Sequence, residues 1–424
     1  MRITENNIIL NFDTIPTDDF WNHDSRKELK LHKIHAYPAK FPAFLISKSL
    51  AYAEEQNIQI NNVTDIFCGC GTTALEAKQN NIDFWGCDIN PVATLIAKVK
   101  SGKFAETELK RFFNKIVRFN RTTQVRVPEG ILNHERIRYW FEEDQIVDLY
   151  KLLFTIEEQV RVGKYRNFFL CAFSNILKPT SRWLTKSIKP QIDPNKPIRP
   201  VEAAFIDQFN FMFESVVEVN SIPHFDSRTR IVTQNFLNKR IQNSFADLLI
   251  TSPSYFTSYE YADLHQLSTL WLGYTNDYRT LREGTIGSLH HKQIKRKEIE
   301  NLNEVGYGIW SGLYRIDKAK ARSAAKYLLD IHKTIDKSYS MINPGGMAVF
   351  VIGNTKYGEV KVDNAKYLTK CMLDTGFGQI DVIKRKVSSK ILTPYRDKRG
   401  KFSSDKRRRK VYGDEYIVIG RKER

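Results

Sequence analysis

The chain has 424 residues, 42% of them hydrophobic and 27% charged, the balance of a soluble globular protein with a large core in two or three domains. No apolar run approaches the ~20 residues of a membrane helix, and MRITENNIILNF lacks the basic and then apolar segments of a secretory signal. A cytoplasmic protein with no membrane partner is therefore expected. Cys68, Cys70, Cys87, Cys171 and Cys371 form no paired CxxC set, which fits a reducing compartment and no metal.

Residues 1–30 are polar and are expected to form a loose lead-in. From residue 63 the pattern becomes strand, glycine turn, helix, strand. VTDIFCGCG is a short apolar run ending in glycines, TTALEAKQNN has helical spacing, and IDFWGCDIN is a second strand ending at an acid. PVATLIAKVKS adds a helix with Pro91 near its start. This βαβα unit predicts an α/β protein with a mostly parallel, doubly wound sheet and an antiparallel last strand.

Residues 101–225 break the rhythm. LKRFFNKIVRF, DQIVDLYKLLFTIEEQVR and RNFFLCAFSNIL read as amphipathic helices, and a proline- and lysine-rich loop follows, so a mainly helical inserted domain is expected here. Strands return at TRIVTQNF and ADLLITSPSY. AKARSAAKYLLDIHKTIDKSYSMI reads as a helix, NPGGMAVFVIGN as a turn feeding a buried strand, and FGQIDVIKR with DEYIVIGRK as an antiparallel pair. The segments 31–100 and 226–424 thus form one discontinuous domain around the insert.

The net charge is +18, and 384–410 alone carries 13 Lys and Arg against 2 Asp. Such a concentration favours a polyanion, most often nucleic acid, through counterion release; a solvated loop that only aids solubility is the alternative. Arg396, Lys398, Arg399, Lys401, Arg407, Arg408 and Arg409 are the candidate phosphate contacts.

Asp65, Phe67, Gly69, Gly71, Thr72 and Thr73 span the turn between strand and helix, where glycines allow close backbone approach and the helix start offers free N–H groups. Asp88, 17 residues after Gly71 and followed by Ile89 and Asn90, ends the next strand, where an acid accepts ribose hydroxyls. GxG without GxxG or GxxxxGK[ST] suits a nucleoside cofactor without a pyrophosphate.

DIFCGCGTTALEA followed by GCDINPVA resembles the S-adenosylmethionine motif of the DNA amino-methyltransferases, usually DPFxGSGTT. HAYPAKFP, with Tyr37, Pro38, Lys40 and Phe41, resembles the segment that precedes that motif and closes over the cofactor. Ser252-Pro253-Ser254-Tyr255 is similar to the family's catalytic (Asp/Asn/Ser)-Pro-Pro-(Tyr/Phe), with Ser254 where the second proline stands. The resemblance covers residues 32–98 and 230–275, more loosely 338–356 and the last strand pair, and not the insert. It implies a methyltransferase fold, S-adenosylmethionine as cofactor, and catalysis by positioning. Ser252 and the Pro253 carbonyl would accept the two N–H bonds of an exocyclic amine, and Tyr255 would stack on the extruded base.

Serine at the first position goes in the family mainly with cytosine N4 and Asp or Asn mainly with adenine N6, which favours cytosine and leaves adenine as the alternative. By the same resemblance the partners are double-stranded DNA and a cognate restriction endonuclease in a bacterial cytoplasm. The insert and the basic stretch at 275–325 compete as target-recognition region. A non-catalytic nucleic-acid-binding protein on a decayed fold is the rival of another class, and Ser254 is its one supporting feature.

Overall fold

The protein is described by a computed structural model covering residues 1–423 except 24–26, 239, 241, 257–259, 289–293, 388–394, 397–401, 404, 406–408 and 411–413; at 395–396, 402–403 and 409–410 only the backbone is described. One mixed sheet organises the chain. In chain order its strands are β1 (Arg2–Ile3), β2 (Asn62–Asp65), β3 (Asp83–Asp88), β4 (Thr229–Thr233), β5 (Ala246–Thr251), β6 (Ile342–Ile352), β7 (Gly378–Lys386) and β8 (Asp414–Arg421). Their spatial order is β1-β7-β8-β6-β5-β2-β3-β4. Strands β4, β3, β2, β5 and β6 run parallel. The last strand, β8, runs antiparallel to both β6 and β7. The expected α/β class, mostly parallel with an antiparallel last strand, is the observed one.

The chain starts the parallel part at β2, winds outward through β3 and β4, then returns to the other side of β2 with β5 and β6. The order therefore reverses between β2 and β5, and the carboxyl ends of those strands form the crevice in which such sheets hold ligands. Helices cover both faces. Leu248, Ile250, Val349 and Val351 point to the layer of α1 (Ala43–Glu55), α2 (Thr72–Gln79) and α3 (Pro91–Lys100). Leu249, Phe350 and Ile352 alternate to the opposite layer.

The segment 101–225 carries four long helices: α4 (Glu106–Thr122), α5 (Glu143–Gln159), α6 (Gly163–Ile176) and α7 (Val201–Asn220). Their buried residues join those of α3 in one cluster, from Val92, Leu95 and Val99 to Phe168, Phe205 and Phe209. The sequence reading had not singled out α7, because phenylalanines and aliphatics stand on most of its sides. Nor had it singled out α1, α8 (Glu304–Ile316) or α10 (Asn364–Thr375). The helix α9 (Lys318–Met341) lies where periodicity placed it, capped by Asp317, whose side chain accepts from the Lys320 amide.

Residues 1–30 correct one expectation. They are no loose lead-in: β1 pairs with β7, and Ile3, Ile8, Phe12, Ile15 and Trp21 are buried. Apolar residues scattered through a polar stretch have no period, so only the tertiary fold reveals what they cover.

Candidate functional site

The site grows from the ends of β2, β3 and β5. Asp65 closes β2, and its buried carboxylate accepts from the Phe67 amide (3.1 Å), the Thr73 hydroxyl (2.7 Å) and the Thr251 hydroxyl (2.6 Å). It thereby ties the turn, the start of α2 and the end of β5 to one point. Burial pushes its pKa up to about 6, against the three donors. Gly69 and Gly71 both have positive φ, and Gly71 starts α2 with no side-chain cap, so the first N–H groups of the helix, at Thr72 and Thr73, face the turn. A Cβ on Gly71 would stand 2.7 Å from the Ala97 backbone, which leaves glycine as the residue that fits.

Asp88 ends β3 beside this turn. Its carboxylate accepts from the Gly69 amide (2.9 Å) and from the Asn90 amide (2.8 Å), and burial raises its pKa to about 6. Asn90 caps α3 by accepting from the Val92 amide (3.0 Å), with Pro91 at the first helical position. Ile89, half-buried, separates the two polar residues. Phe67 packs edge-on against Phe236.

Tyr37 lies over the turn: its hydroxyl is 3.5 Å from where a Gly69 Cβ would stand, and its ring stacks on Tyr261. Pro38 and Phe41 are half-buried beside it, Phe41 against the α1 layer. The charge of Lys40 is engaged by Glu28 at 2.8 Å. The segment is pinned from α6, where His35 bonds the Ser174 hydroxyl (2.9 Å) and the Ala36 amide donates to Asn175 (2.9 Å).

His265 was missed by sequence reading. Its Nδ1 is 2.7 Å from Asn90 Nδ2, and its ring centroid is 5.0 Å from that of Tyr37. Because Asn90 Oδ1 is occupied by the helix start, Nδ2 must donate, so His265 Nδ1 accepts and the neutral ring carries its proton on Nε2. Burial holds the imidazole neutral, with a pKa near 3. No spacing in the sequence links residue 265 to residue 90.

The tetrapeptide follows β5. The Ser252 hydroxyl donates to the Val351 carbonyl on β6 at 2.9 Å, so its oxygen can act toward other groups only as an acceptor. Pro253 is buried, and among the described residues its carbonyl accepts no hydrogen bond. Ser254 is half-buried, with no side-chain bond to any described residue. The Tyr255 hydroxyl donates to Glu415 at 3.2 Å, and burial keeps the phenol protonated far above its ordinary range. Turn, acid and tetrapeptide are thus brought to one edge of the sheet.

The expected nucleic-acid contacts fare differently. Lys398, Arg399, Lys401, Arg407 and Arg408 lie outside the described residues. Arg396 and Arg409 face each other as backbone partners in a small three-stranded sheet. In the helical segment several basic residues are engaged by acids: Arg111 with Glu108, Arg121 with Glu202, and Arg182 with Glu142. Arg136 lies 4.5 Å from the Tyr139 ring centroid and donates to Gln266 at 2.6 Å.

A family model described as DNA methylase, of the N6/N4 methyltransferase type, matches residues 7–99. The chain is similar to the Type II methyltransferase M.MvaI of Kocuria varians, with 22% identity over 379 residues, 83% of this chain and 81% of the relative. It is also similar to the Type II methyltransferase M.BsoBI of Geobacillus stearothermophilus, with 20% identity over 421 residues, 85% of this chain and 81% of the relative. Among solved structures, an rRNA methyltransferase of Streptomyces viridochromogenes aligns over 91% of this chain and 88% of its own at 8% identity and a TM-score of 0.32, a likeness that adds nothing to the strand order itself.

Proposed function

We propose that this chain, which belongs to the DNA amino-methyltransferase family, transfers a methyl group from S-adenosylmethionine to the exocyclic N4 amine of a cytosine flipped out of double-stranded DNA. The observation that supports this best is the pair of acceptors after β5. An amine presents two N–H bonds, and here a serine oxygen whose own proton is committed to Val351 stands beside a proline carbonyl that accepts from no described residue.

The residues at the turn fit the cofactor. Gly69 leaves a cradle under Tyr37, the uncapped start of α2 offers N–H donors, and Asp88 offers a carboxylate to the ribose hydroxyls. S-adenosylmethionine, when bound, supplies an electrophilic methyl on a sulfonium. Thr72 and Thr73 would donate from the helix start, and Tyr37, Pro38 and Phe41 would close over the methionine end and exclude water. The charge of Lys40, engaged by Glu28, serves to hold that segment in place.

The amine lone pair of a base is delocalised into its ring, so it is a poor nucleophile. Ser252 Oγ and the Pro253 carbonyl, by accepting both N–H bonds, would draw the nitrogen toward tetrahedral geometry and aim its lone pair at the methyl. Tyr255 offers a ring face to the extruded base. Ser254, with its hydroxyl unengaged by described residues, would meet the base edge. The basic residues around 396–409 would grip backbone phosphates, and either the helices of 101–225 or the stretch at 275–325 would supply recognition material. Similarity to Type II methyltransferases further supports the modification half of a restriction–modification pair in the cytoplasm, with an endonuclease as partner. Among the described residues no helix is long and apolar enough to cross a membrane.

The test is methyl transfer from labelled S-adenosylmethionine to mixed-sequence duplex DNA, followed by nucleoside analysis. N4-methylcytosine is expected. N6-methyladenine would keep the mechanism and overturn the base. No product on duplex or single-stranded DNA or on RNA would favour a non-catalytic binding protein.

A further inference from the structure

We infer that Glu415, held by Arg385, is a positioning residue for Tyr255; this rests on the methyl-transfer reading above. Glu415 accepts the Tyr255 hydroxyl through Oε1, while its Oε2 is ion-paired with the guanidinium of Arg385. Arg385 and Glu415 are direct register partners across β7 and β8, so both side chains project from the same face of the sheet. Their side chains are only 3% and 15% exposed, and in so enclosed a setting removing either charge alone would strand the other. The guanidinium also lies 5.4 Å from the ring centroid of Phe44 on α1, which keeps it from swinging away.

The ring of Tyr255 is held on a second side. One residue past the Tyr416–Ile352 rung, Gly353 leaves the space the ring occupies, and a Cβ there would stand 2.7 Å from Tyr255 Cε2. Gly353 thus takes up ring contact, and Glu415 fixes the hydroxyl end. Stacking on a base needs only a ring, which phenylalanine also has. The hydroxyl's work is therefore directed away from the base, toward holding the ring at one tilt.

The experiment compares wild type, Arg385→Met/Glu415→Leu, Tyr255→Phe and the triple variant in methyl transfer to duplex DNA. The apolar pair removes the acceptor without leaving a buried charge unpaired, and the thermal midpoint checks folding. Its kcat is expected to fall about tenfold or more, with KM for S-adenosylmethionine within about twofold, as for a slightly misplaced group. The triple variant should be no slower than Tyr255→Phe alone, since both remove the same contact. Wild-type kcat in the apolar-pair variant, or losses that multiply in the triple, would overturn the inference. If the apolar pair does not fold, Arg385→Gln/Glu415→Ala, neutral at both positions and without the acceptor, replaces it in the same comparison with and without Tyr255→Phe. A wild type that methylates no nucleic acid would overturn the methyl-transfer reading itself, and this inference with it.

Discussion

The glycine-turn side and the tetrapeptide side of the site are held by different kinds of contact. At the ends of β2 and β3 the contacts are short in sequence: Asp65 bonds the amide of Phe67, Asp88 that of Asn90, and the link from Asp88 to Gly69 spans 19 residues. At the junction of β5, β6 and β8 they are long: Ser252 bonds Val351, 99 residues on, and Tyr255 bonds Glu415, 160 residues on. Thr251, donating to Asp65, joins the two. A cradle that closes on itself locally suits a ligand common to many enzymes. On the proposed reading, a catalytic end assembled across distant strands would tie the position of the reacting base to the fold as a whole.

If the division is one of labour, variants should separate it. The largest effect is expected from Ser252→Ala, which removes one of two acceptors: kcat falls about 10²–10³-fold while S-adenosylhomocysteine still binds within about twofold. Equal loss of binding and turnover would break the comparison. Gly71→Ala should act on the fold, because it forces a side chain into positive φ against the Ala97 backbone. A loss of about 2–4 kcal/mol in denaturant unfolding is expected, and an unchanged midpoint would show that the turn has room to spare.

Asp88→Ala should weaken S-adenosylhomocysteine binding about 10–100-fold and leave turnover at saturating cofactor less affected, the reverse of Ser252→Ala. The smallest and sharpest effect concerns pH. Burial holds the Asp88 carboxyl at about 6 in the free protein, and ribose hydroxyls donating to it would favour the ionised form. The pKa in the complex is then lower, so affinity should fall as the pH drops through about 6 and be constant well above it. Titration calorimetry at pH 7.5 and 5 should show a several-fold loss, largely absent in Asp88→Asn. A flat wild-type profile would take Asp88 away from the ribose.

Much of the cofactor half was legible in the sequence. DIFCGCGTT is a strand, a turn and a helix start in nine residues, and the glycine pattern follows from backbone geometry that no distant partner alters. Pro91 announced a helix start, which Asn90 caps. His265 was not legible, because its meeting with Asn90 depends on how a segment 175 residues away is laid against α3. Lys40 looked available in HAYPAKFP, yet Glu28, twelve residues earlier in a stretch taken as a lead-in, engages it. The helical segment competes as target-recognition region in the sequence, yet acids across or along its helices bind several of its arginines.

Periodicity and turn chemistry alone determined the βαβα core, the glycine turn, the acid after it and the antiparallel final pair. Each of these depends on neighbours within a few residues or on a simple alternation along one strand. Only the tertiary structure decided that Ile3, Phe12 and Trp21 pack into the core, that Ser252 donates its proton to Val351, and that Arg385 and Glu415 meet at the rung that holds Tyr255. Those depend on contacts between segments distant in the chain, and in the sheet a register shift of one residue would turn each side chain to the opposite face.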